Sequence, residues 1–203
     1  MSLMPRPLPP ADPDRLIAPG TVPRRGVAGD ANALWRYERH RRRALLAPPG
    51  PHPVVLVLDR LRPDYNVAKI YRSAHAFGVR EVHQIAIGPF DPAPAKGGFK
   101  HVPSRYWEDF ASCHAALAAE GFQLFLLDSA GETPLPAARL PERTAFVLGH
   151  ELKGLSEEAR ASGLMRLRIP QFGPLDSINV TVAASIALYE WLRQHRFAGV
   201  NGP

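Results

Sequence analysis

The chain has 203 residues and a net charge of +6, with 45% hydrophobic residues and a single cysteine, Cys113. This length and hydrophobic content suffice for one domain with a full core plus an appendage. One cysteine excludes an internal disulfide framework and a cysteine-rich metal site, which agrees with a cytoplasmic protein. No apolar run reaches the ~20 residues that a membrane-spanning helix requires.

The positive charge is concentrated near the N-terminus. Residues 1–50 hold nine arginines against four carboxylates, a net charge of +5, whereas residues 51–203 hold 16 basic and 15 acidic residues, a net charge of +1. We therefore predict a basic, partly disordered N-terminal extension over residues 1–50, followed by a folded domain over residues 51–203. This asymmetry favours a polyanionic partner, most simply nucleic acid, although a solvated tail would have the same composition.

The extension is predicted to contain one short helix. The segment ANALWRYERHRRRALLA lacks glycine and proline and stops at PPG, which is typical of a helix and its end. Arg36, Arg39 and Arg43 lie at helical spacing on one face and are candidate RNA contacts. Trp35 and Leu46 are expected to anchor the other side of this helix to the body.

From residue 51 onward, strand-like segments alternate with helical segments. The predicted strands are HPVVLVLDRL, EVHQIAIG, FQLFLLDS, TAFVLGHE and MRLRIP; the predicted helices are NVAKIYRSAHAFG, YWEDFASCHAALAAEG, LSEEARASG and SINVTVAASIALYEWLRQHRF; PFDPAPAKGGFKHVPS is a long loop. Because the strands are apolar on both faces, the alternation indicates an α/β fold with a parallel sheet covered by helices on both sides.

Polar segments follow three of these strands, where a parallel sheet places its ligand site. Asn66 and Arg72 follow the first strand, HELKGLS follows TAFVLG, and QFGPLDSIN follows MRLRIP. The glycine motifs of dinucleotide-binding proteins and P-loop enzymes are missing, as are the zinc-protease motif and the hydrolase nucleophile elbow. Most dehydrogenase and hydrolase classes are thereby excluded.

Three segments carry a resemblance to a known family. NVAKIYRSAHAFGV, FVLGHELKGLS and LRIPQFGPLDSINVTVAASIALYEWL resemble motifs 1, 2 and 3 of the SpoU/TrmH family of RNA ribose 2′-O-methyltransferases, in the SPOUT superfamily. They occur in the family's order with compatible spacing and cover roughly residues 53–193. The resemblance implies a parallel-sheet SPOUT fold with a C-terminal deep trefoil knot, and a homodimer. It further implies S-adenosyl-L-methionine as cofactor, no metal, and tRNA or rRNA as substrate.

The resemblance also implies roles for particular residues. Arg72 matches the motif 1 arginine, which the family assigns to activation of the ribose hydroxyl. Because the pKa of arginine exceeds ~12, we expect Arg72 to position the hydroxyl and phosphate, and the identity of the proton acceptor stays open. Helix capping is an alternative role for Asn66. The catalytic candidates are Asn66, Arg72, Glu151, Ser177 and Asn179.

Further candidates are assigned to the cofactor and to RNA. His150 stands where the family more often has asparagine or serine, and Asp176 or Ser177 is expected to cap the last helix. The cofactor-binding candidates are Leu148, Gly149, His150, Gly154, Ile169, Pro170, Ser177 and Val180. The RNA-binding candidates are Arg36, Arg39, Arg43, Lys96, Lys100 and Arg105.

Three other functions are compatible with parts of this pattern. The first is a catalytically inactive knotted RNA-binding protein, the second a SPOUT enzyme that methylates a base nitrogen, and the third an unrelated α/β binding module. Motif 1 has Ala68 where its commoner form has glycine, which favours tRNA slightly over rRNA as the substrate.

Overall fold

A seven-stranded parallel sheet forms the centre of the protein, whose computed structural model describes residues 31–197. The strands lie in the order β3-β2-β1-β6-β4-β7-β5, and every neighbouring pair is parallel. They are β1 (His52–Asp59), β2 (Val79–Ile85), β3 (Ser104–Trp107), β4 (Gln123–Leu127), β5 (Thr133–Pro134), β6 (Thr144–Gly149) and β7 (Arg166–Arg168). The predicted parallel α/β architecture is confirmed, whereas the first 30 residues of the predicted extension lie outside the described part.

Helices cover both faces of the sheet, as the apolar strands predict. One buried cluster contains Tyr71 and Trp191 with the adjoining faces of α1, α2, α3 and α6, and the other contains Phe110 and Cys113 with α4 and α5. The helices are α1 (Ala31–Leu45), α2 (Tyr65–Ala76), α3 (Gly98–His101), α4 (Phe110–Ala119), α5 (Glu157–Ala161) and α6 (Val180–His195). No helix among the described residues combines the length and apolar character needed to traverse a bilayer.

The predicted helix in the extension is present as α1, but it packs through other residues than expected. Tyr37 is buried between Phe90 and Phe99, with ring centroids 5.2 and 5.5 Å away. The prediction that Trp35 and Leu46 anchor the helix is wrong, because their side chains are 61% and 86% exposed. Helical periodicity places Ala33, Tyr37, Arg41 and Ala44 on the buried side instead.

The predicted long loop between β2 and β3 is more ordered than its sequence indicates. It contains α3 and a 3₁₀ turn over Ala93–Ala95, and Phe90 and Phe99 within it are fully buried. These two aromatic residues are nine positions apart without helical or strand periodicity between them, so no pattern predicted that they anchor the segment.

The central strands end at the same edge of the sheet and thereby assemble a site. Asp59 of β1 is level with Gly149 of β6, and Leu127 of β4 is level with Leu148. The segments that follow β1, β4 and β6 therefore emerge side by side.

Candidate active site

A cavity of about 410 Å³ lies at this edge, bordered by the segments after β4, β6 and β7 and by the first turn of α6. All three polar segments selected from the sequence reach it. Pro170 does not line the cavity, and its neighbour Gln171 does. The other cofactor-binding candidates all line it: Leu148, Gly149, His150, Gly154, Ile169, Ser177 and Val180.

The wall formed by the segment after β6 is a tight hairpin-like loop. His150 N donates to the Gly154 carbonyl at 2.8 Å, and Gly154 N donates back to the His150 carbonyl at 2.7 Å. A Cβ atom on Gly149 would lie 2.3 Å from Leu155 N, and Gly154 has a φ of +69°, so both positions require glycine. His150 Nδ1 accepts the Leu152 N–H at 3.1 Å, which gives this unusual residue a role in shaping the loop.

Hydrogen bonds join three of the predicted catalytic residues across the cavity rim. Asn179 Nδ2 donates to Asn66 Oδ1 at 3.1 Å, and Asn66 Nδ2 donates to Glu151 Oε1 at 2.9 Å. The second Glu151 oxygen accepts the Arg62 backbone N–H at 3.2 Å. This Asn179–Asn66–Glu151 chain ties the starts of α6 and α2 to the loop after β6, although Asn66 and Asn179 are far apart in sequence.

The helix caps differ from those expected. Asp64 caps α2 by accepting the Asn66 N–H at 2.9 Å, so Asn66 is not the cap and its side chain is available for the chain to Glu151. Asn179 caps α6 by accepting the Thr181 N–H at 2.8 Å. The prediction that Asp176 or Ser177 caps α6 is therefore wrong. The helix starts at Val180 because Asn179 has a non-helical ψ of 137° and serves as its N-cap; Ser177 and Ile178, which precede the cap, line the cavity.

Arg72 is the one catalytic candidate that the structure does not bring to the cavity. It is exposed on α2 and does not line the cavity, and among residues 31–197 its guanidinium has no ion pair or side-chain hydrogen bond. At about 100° per residue, the six steps along the helix from Asn66 to Arg72 leave the two side chains about 120° apart around the helix axis. Ser177, in contrast, lines the cavity beside Asn179.

Comparison with known proteins identifies the family. The chain matches the model of the SpoU rRNA Methylase family over residues 53–189. The chain belongs to this family. The membership inferred from the three motif segments is thus confirmed.

Two proteins that are similar to this chain are described with different RNAs. The chain is 31% identical to a protein of Xylella fastidiosa (strain 9a5c) named 23S rRNA (guanosine-2′-O-)-methyltransferase RlmB, over 86% of this chain and 72% of the relative. It is 34% identical, with a TM-score of 0.62, to a solved structure described as concerning 2-OH methylation of C/U34 on tRNA, over 71% of this chain and 97% of that one.

A third comparison concerns the fold alone. The chain is similar to the structure of an AdoMet-bound rRNA methyltransferase from Sinorhizobium meliloti, with a TM-score of 0.65 and 24% identity. The match covers 77% of this chain and 60% of the Sinorhizobium chain. At this identity the likeness establishes the shared fold, and the chain spans three-fifths of that protein's length.

The cavity of this SpoU family member includes polar residues that the sequence reasoning missed. Asp128 and Ser129 follow β4 and line the cavity, and so do Arg160 and Gln171. The rule that ligands bind at strand ends could have found the first two, because FQLFLLDS closes with them. No cluster of three or more His, Cys, Asp or Glu side chains within the described part is placed to hold a metal ion.

The candidate RNA-binding residues fall into two groups. Arg36 pairs with Asp91 at 3.3 Å, and Arg105 pairs with Glu81 at 3.2 Å and with Glu120. Burial lowers the pKa of the Arg105 guanidinium, but the two carboxylates outweigh burial and raise that pKa above its usual value. The other four have no ion pair among the described residues: Arg39, Arg43, Lys96 and Lys100.

Proposed function

We infer that this protein is an S-adenosylmethionine-dependent enzyme that methylates a ribose 2′-hydroxyl of structured RNA, either tRNA or rRNA. The family membership supports the reaction class. The observation that carries the site assignment is the Asn179–Asn66–Glu151 chain, which joins residues of all three motif segments at the rim of one cavity. The alternative of an inactive RNA-binding protein has no support, because these side chains are all present and placed together.

The cavity suits S-adenosylmethionine in size and lining. Its volume of about 410 Å³ lies within the roughly 300–1,000 Å³ of small-molecule sites. Leu148, Leu155 and Ile169 offer apolar surface for a purine ring, and the Asp128 carboxylate and Gln171 amide offer hydrogen bonds for polar groups. The family's cofactor is thus matched by the residues that this chain presents.

The protein's own groups are suited to positioning the substrate. The cofactor supplies an electrophilic methyl group, so the reaction requires alignment of the ribose oxygen and exclusion of water, and we propose that it needs no metal. Asn66 is held in one orientation by Asn179 and Glu151 and can fix the ribose. The first turn of α6 faces the cavity through Val180 and Ala183, and its partial positive charge favours the negative charge that develops on the oxygen.

We propose that two copies of the chain form a homodimer through α6 and α2. Val182, Ile186 and Tyr189 follow one another along an exposed face of α6 and are 48%, 37% and 53% exposed. A 2.9 Å hydrogen bond between Ser73 of α2 and Ser185 of α6 joins the two helices. Arg72 precedes Ser73 and therefore lies on the part of α2 that is next to α6. Because Arg72 does not line the cavity of its own chain, we propose that the second copy receives it at its cavity, which would complete the catalytic set.

We also propose that the C-terminal part is knotted. The strand β7 lies between β4 and β5, although it follows both in the chain. Residues 169–179 then return past the segment after β4 to α6, which packs against α2. This insertion supports the trefoil knot that the SPOUT resemblance implies. The domain boundary at residues 50 and 51 and the cytoplasmic location likewise stay proposals.

Calorimetry with S-adenosylhomocysteine tests the cofactor site. We expect the wild-type protein to bind it, and Ala183→Leu, which fills the cavity, to weaken binding at least tenfold. Ala118→Leu is the matched control, because Ala118 is exposed on α4, away from the cavity. Absence of binding by the folded wild-type protein, checked by circular dichroism, would overturn the assignment.

A further inference from the structure

Three helices meet on the side of the sheet that carries the N-terminal helix. Phe99 of α3 is fully buried, and its ring centroid lies 5.5 Å from that of Tyr37 in α1 and 4.7 Å from that of Tyr71 in α2. A Cβ atom on Gly98 would lie 2.5 Å from the Tyr71 carbonyl oxygen and 3.2 Å from Arg72 Cα. The start of α3 therefore touches the backbone of α2 beside the predicted catalytic arginine, and the solvent faces of the three helices adjoin.

These adjoining faces carry basic side chains. On α2, Lys69, Arg72 and His75 recur at three-residue spacing, and all three are exposed. The His75 and His101 rings stack with centroids 5.3 Å apart, which links α2 to α3. We name this surface the cationic track; its cations are Lys69, Arg72, Lys100, Arg43 and Arg39, and it also includes the rings of His75 and His101.

The track's charges lie close enough to influence one another. Burial is the largest cause of the lowered pKa of the His101 imidazole, and the positive charges of Lys100, His75 and Arg43 lower that pKa further. Burial is also the largest cause of the lowered pKa of His40, and the positive charges of Lys100 and Arg39 lower that pKa further. Side chains of α1 and α3 thus form one positively charged region.

No acidic side chain in the described part of the chain forms an ion pair with the track's lysines and arginines. The carboxylates on α1 and in the loop before α3 have other partners, because Glu38 pairs with Arg41 and Asp91 pairs with Arg36. Concentrated like charge without internal counterions favours binding of a polyanion.

An aromatic ring extends the track at its α1 end. Trp35 is 61% exposed, and the Arg39 guanidinium lies over its ring at 5.2 Å from the centroid. An exposed ring beside cations is suited to stacking on an unpaired base, which distinguishes RNA from an acidic protein surface.

We propose that the cationic track binds the phosphate backbone of the substrate RNA and leads it from α1 across α3 to Arg72. This inference rests on the proposed function, and it adds Lys69, His75 and His101 to the RNA-contacting residues. It assigns α1, which packs against Phe90 and Phe99 through Tyr37, to substrate binding.

Salt-dependent binding to unfractionated tRNA tests the proposal in the full-length protein. Each lost phosphate contact lowers the slope of log K against log salt by about 0.7–0.9, which is about fivefold in affinity at 0.15 M salt. We expect Arg43→Ala and Lys100→Ala each to show this loss and the double variant to lose about 1.5 of slope. Trp35→Ala is expected to weaken binding with an unchanged slope.

The control is Arg139→Ala, which removes an exposed charge beyond β5, at the opposite edge of the sheet from α1 and β3. Its slope and affinity are expected to stay at wild-type values. An unchanged slope in the Arg43/Lys100 double variant would overturn the track while leaving methyl transfer by the wild type as evidence for the proposed function. A double variant that loses polyglutamate binding but keeps wild-type tRNA binding would assign the track to acidic polypeptides and also overturn the proposal. A wild type that binds tRNA through the track but methylates no RNA would contradict the proposed function alone.

Discussion

Replacement of Asn179 separates its two structural roles. Its side-chain oxygen caps α6 through the Thr181 N–H at 2.8 Å, and its Nδ2 donates to Asn66 Oδ1 at 3.1 Å. Asn179→Ala removes both interactions, whereas Asn179→Asp retains a capping oxygen and loses only the donor. An aspartate at position 179 could be paired only if the Asn66 amide rotated to present its Nδ2 there. That Nδ2 already donates to Glu151, and the rotation would turn the Asn66 carbonyl oxygen towards the Glu151 carboxylate.

The expected magnitudes follow from these contacts. Loss of an N-cap costs roughly 0.5–2 kcal/mol, and loss of an exposed hydrogen bond costs about 0.5 kcal/mol more. Asn179→Ala should therefore lower the free energy of unfolding by about 1.5 kcal/mol, or about 3–6 °C in Tm for a chain of this size. Asn179→Asp should unfold within about 2 °C of wild type, yet lose about tenfold in kcat/KM, equivalent to one hydrogen bond at the reacting site.

Thermal unfolding and methyl-transfer assays on the same preparations distinguish these effects. Asp109→Ala is the matched control, because Asp109 caps α4 through the Ser112 N–H at 2.7 Å on the other face of the sheet. It should cost about 1 kcal/mol of stability with wild-type turnover. Wild-type turnover in Asn179→Asp would refute the role of the link to Asn66, and wild-type stability in Asn179→Ala would refute the cap.

Three further predictions concern other parts of the structure. Gly98→Ala should destabilise the fold by about 1–3 kcal/mol in urea unfolding, since its Cβ would lie 2.5 Å from the Tyr71 carbonyl oxygen; a neutral effect would contradict the contact. Glu151→Gln should lower kcat/KM about tenfold, because a glutamine keeps one acceptor oxygen and cannot serve both the Asn66 side chain and the loop N–H; full activity would exclude this role. Burial raises the pKa of the Cys113 thiol well above its usual value, so at pH 8 it should react with a disulfide reagent only as fast as the protein unfolds; rapid labelling of the native protein would be inconsistent with its burial.

Most features that depend on short stretches of sequence were predicted correctly, but the helix predicted from Tyr106 begins only at Phe110, because Tyr106 and Trp107 pair with β2 as part of β3. The parallel sheet and the position of the cavity at the strand ends follow from apolar strands followed by polar segments, whereas the family follows from the resemblance of the three motif segments. Seven of the eight cofactor-binding candidates line the cavity, because each lies immediately after a strand or at the start of α6.

The features that depend on contacts between distant segments could not be predicted. Asn66 and Asn179 are 113 positions apart, and only the assembled fold shows that the second holds the first. The buried face of α1 includes Arg41, whose guanidinium lies 4.8 Å from the centroid of the Tyr106 ring, so a hydrophobicity pattern cannot identify that face. The separation of Arg72 from the cavity also depends on how α2 is oriented in the fold.

The most direct test of the account is to locate a transferred methyl group. The protein is incubated with methyl-labelled S-adenosylmethionine and with unmodified tRNA and rRNA in separate reactions, and the RNA is digested and its nucleosides are analysed by mass spectrometry. We expect label on the ribose of one nucleoside type, as a 2′-O-methylated product that is absent with Asn66→Ala. Label on a base, or no label from protein that binds S-adenosylhomocysteine and RNA, would contradict the proposed function.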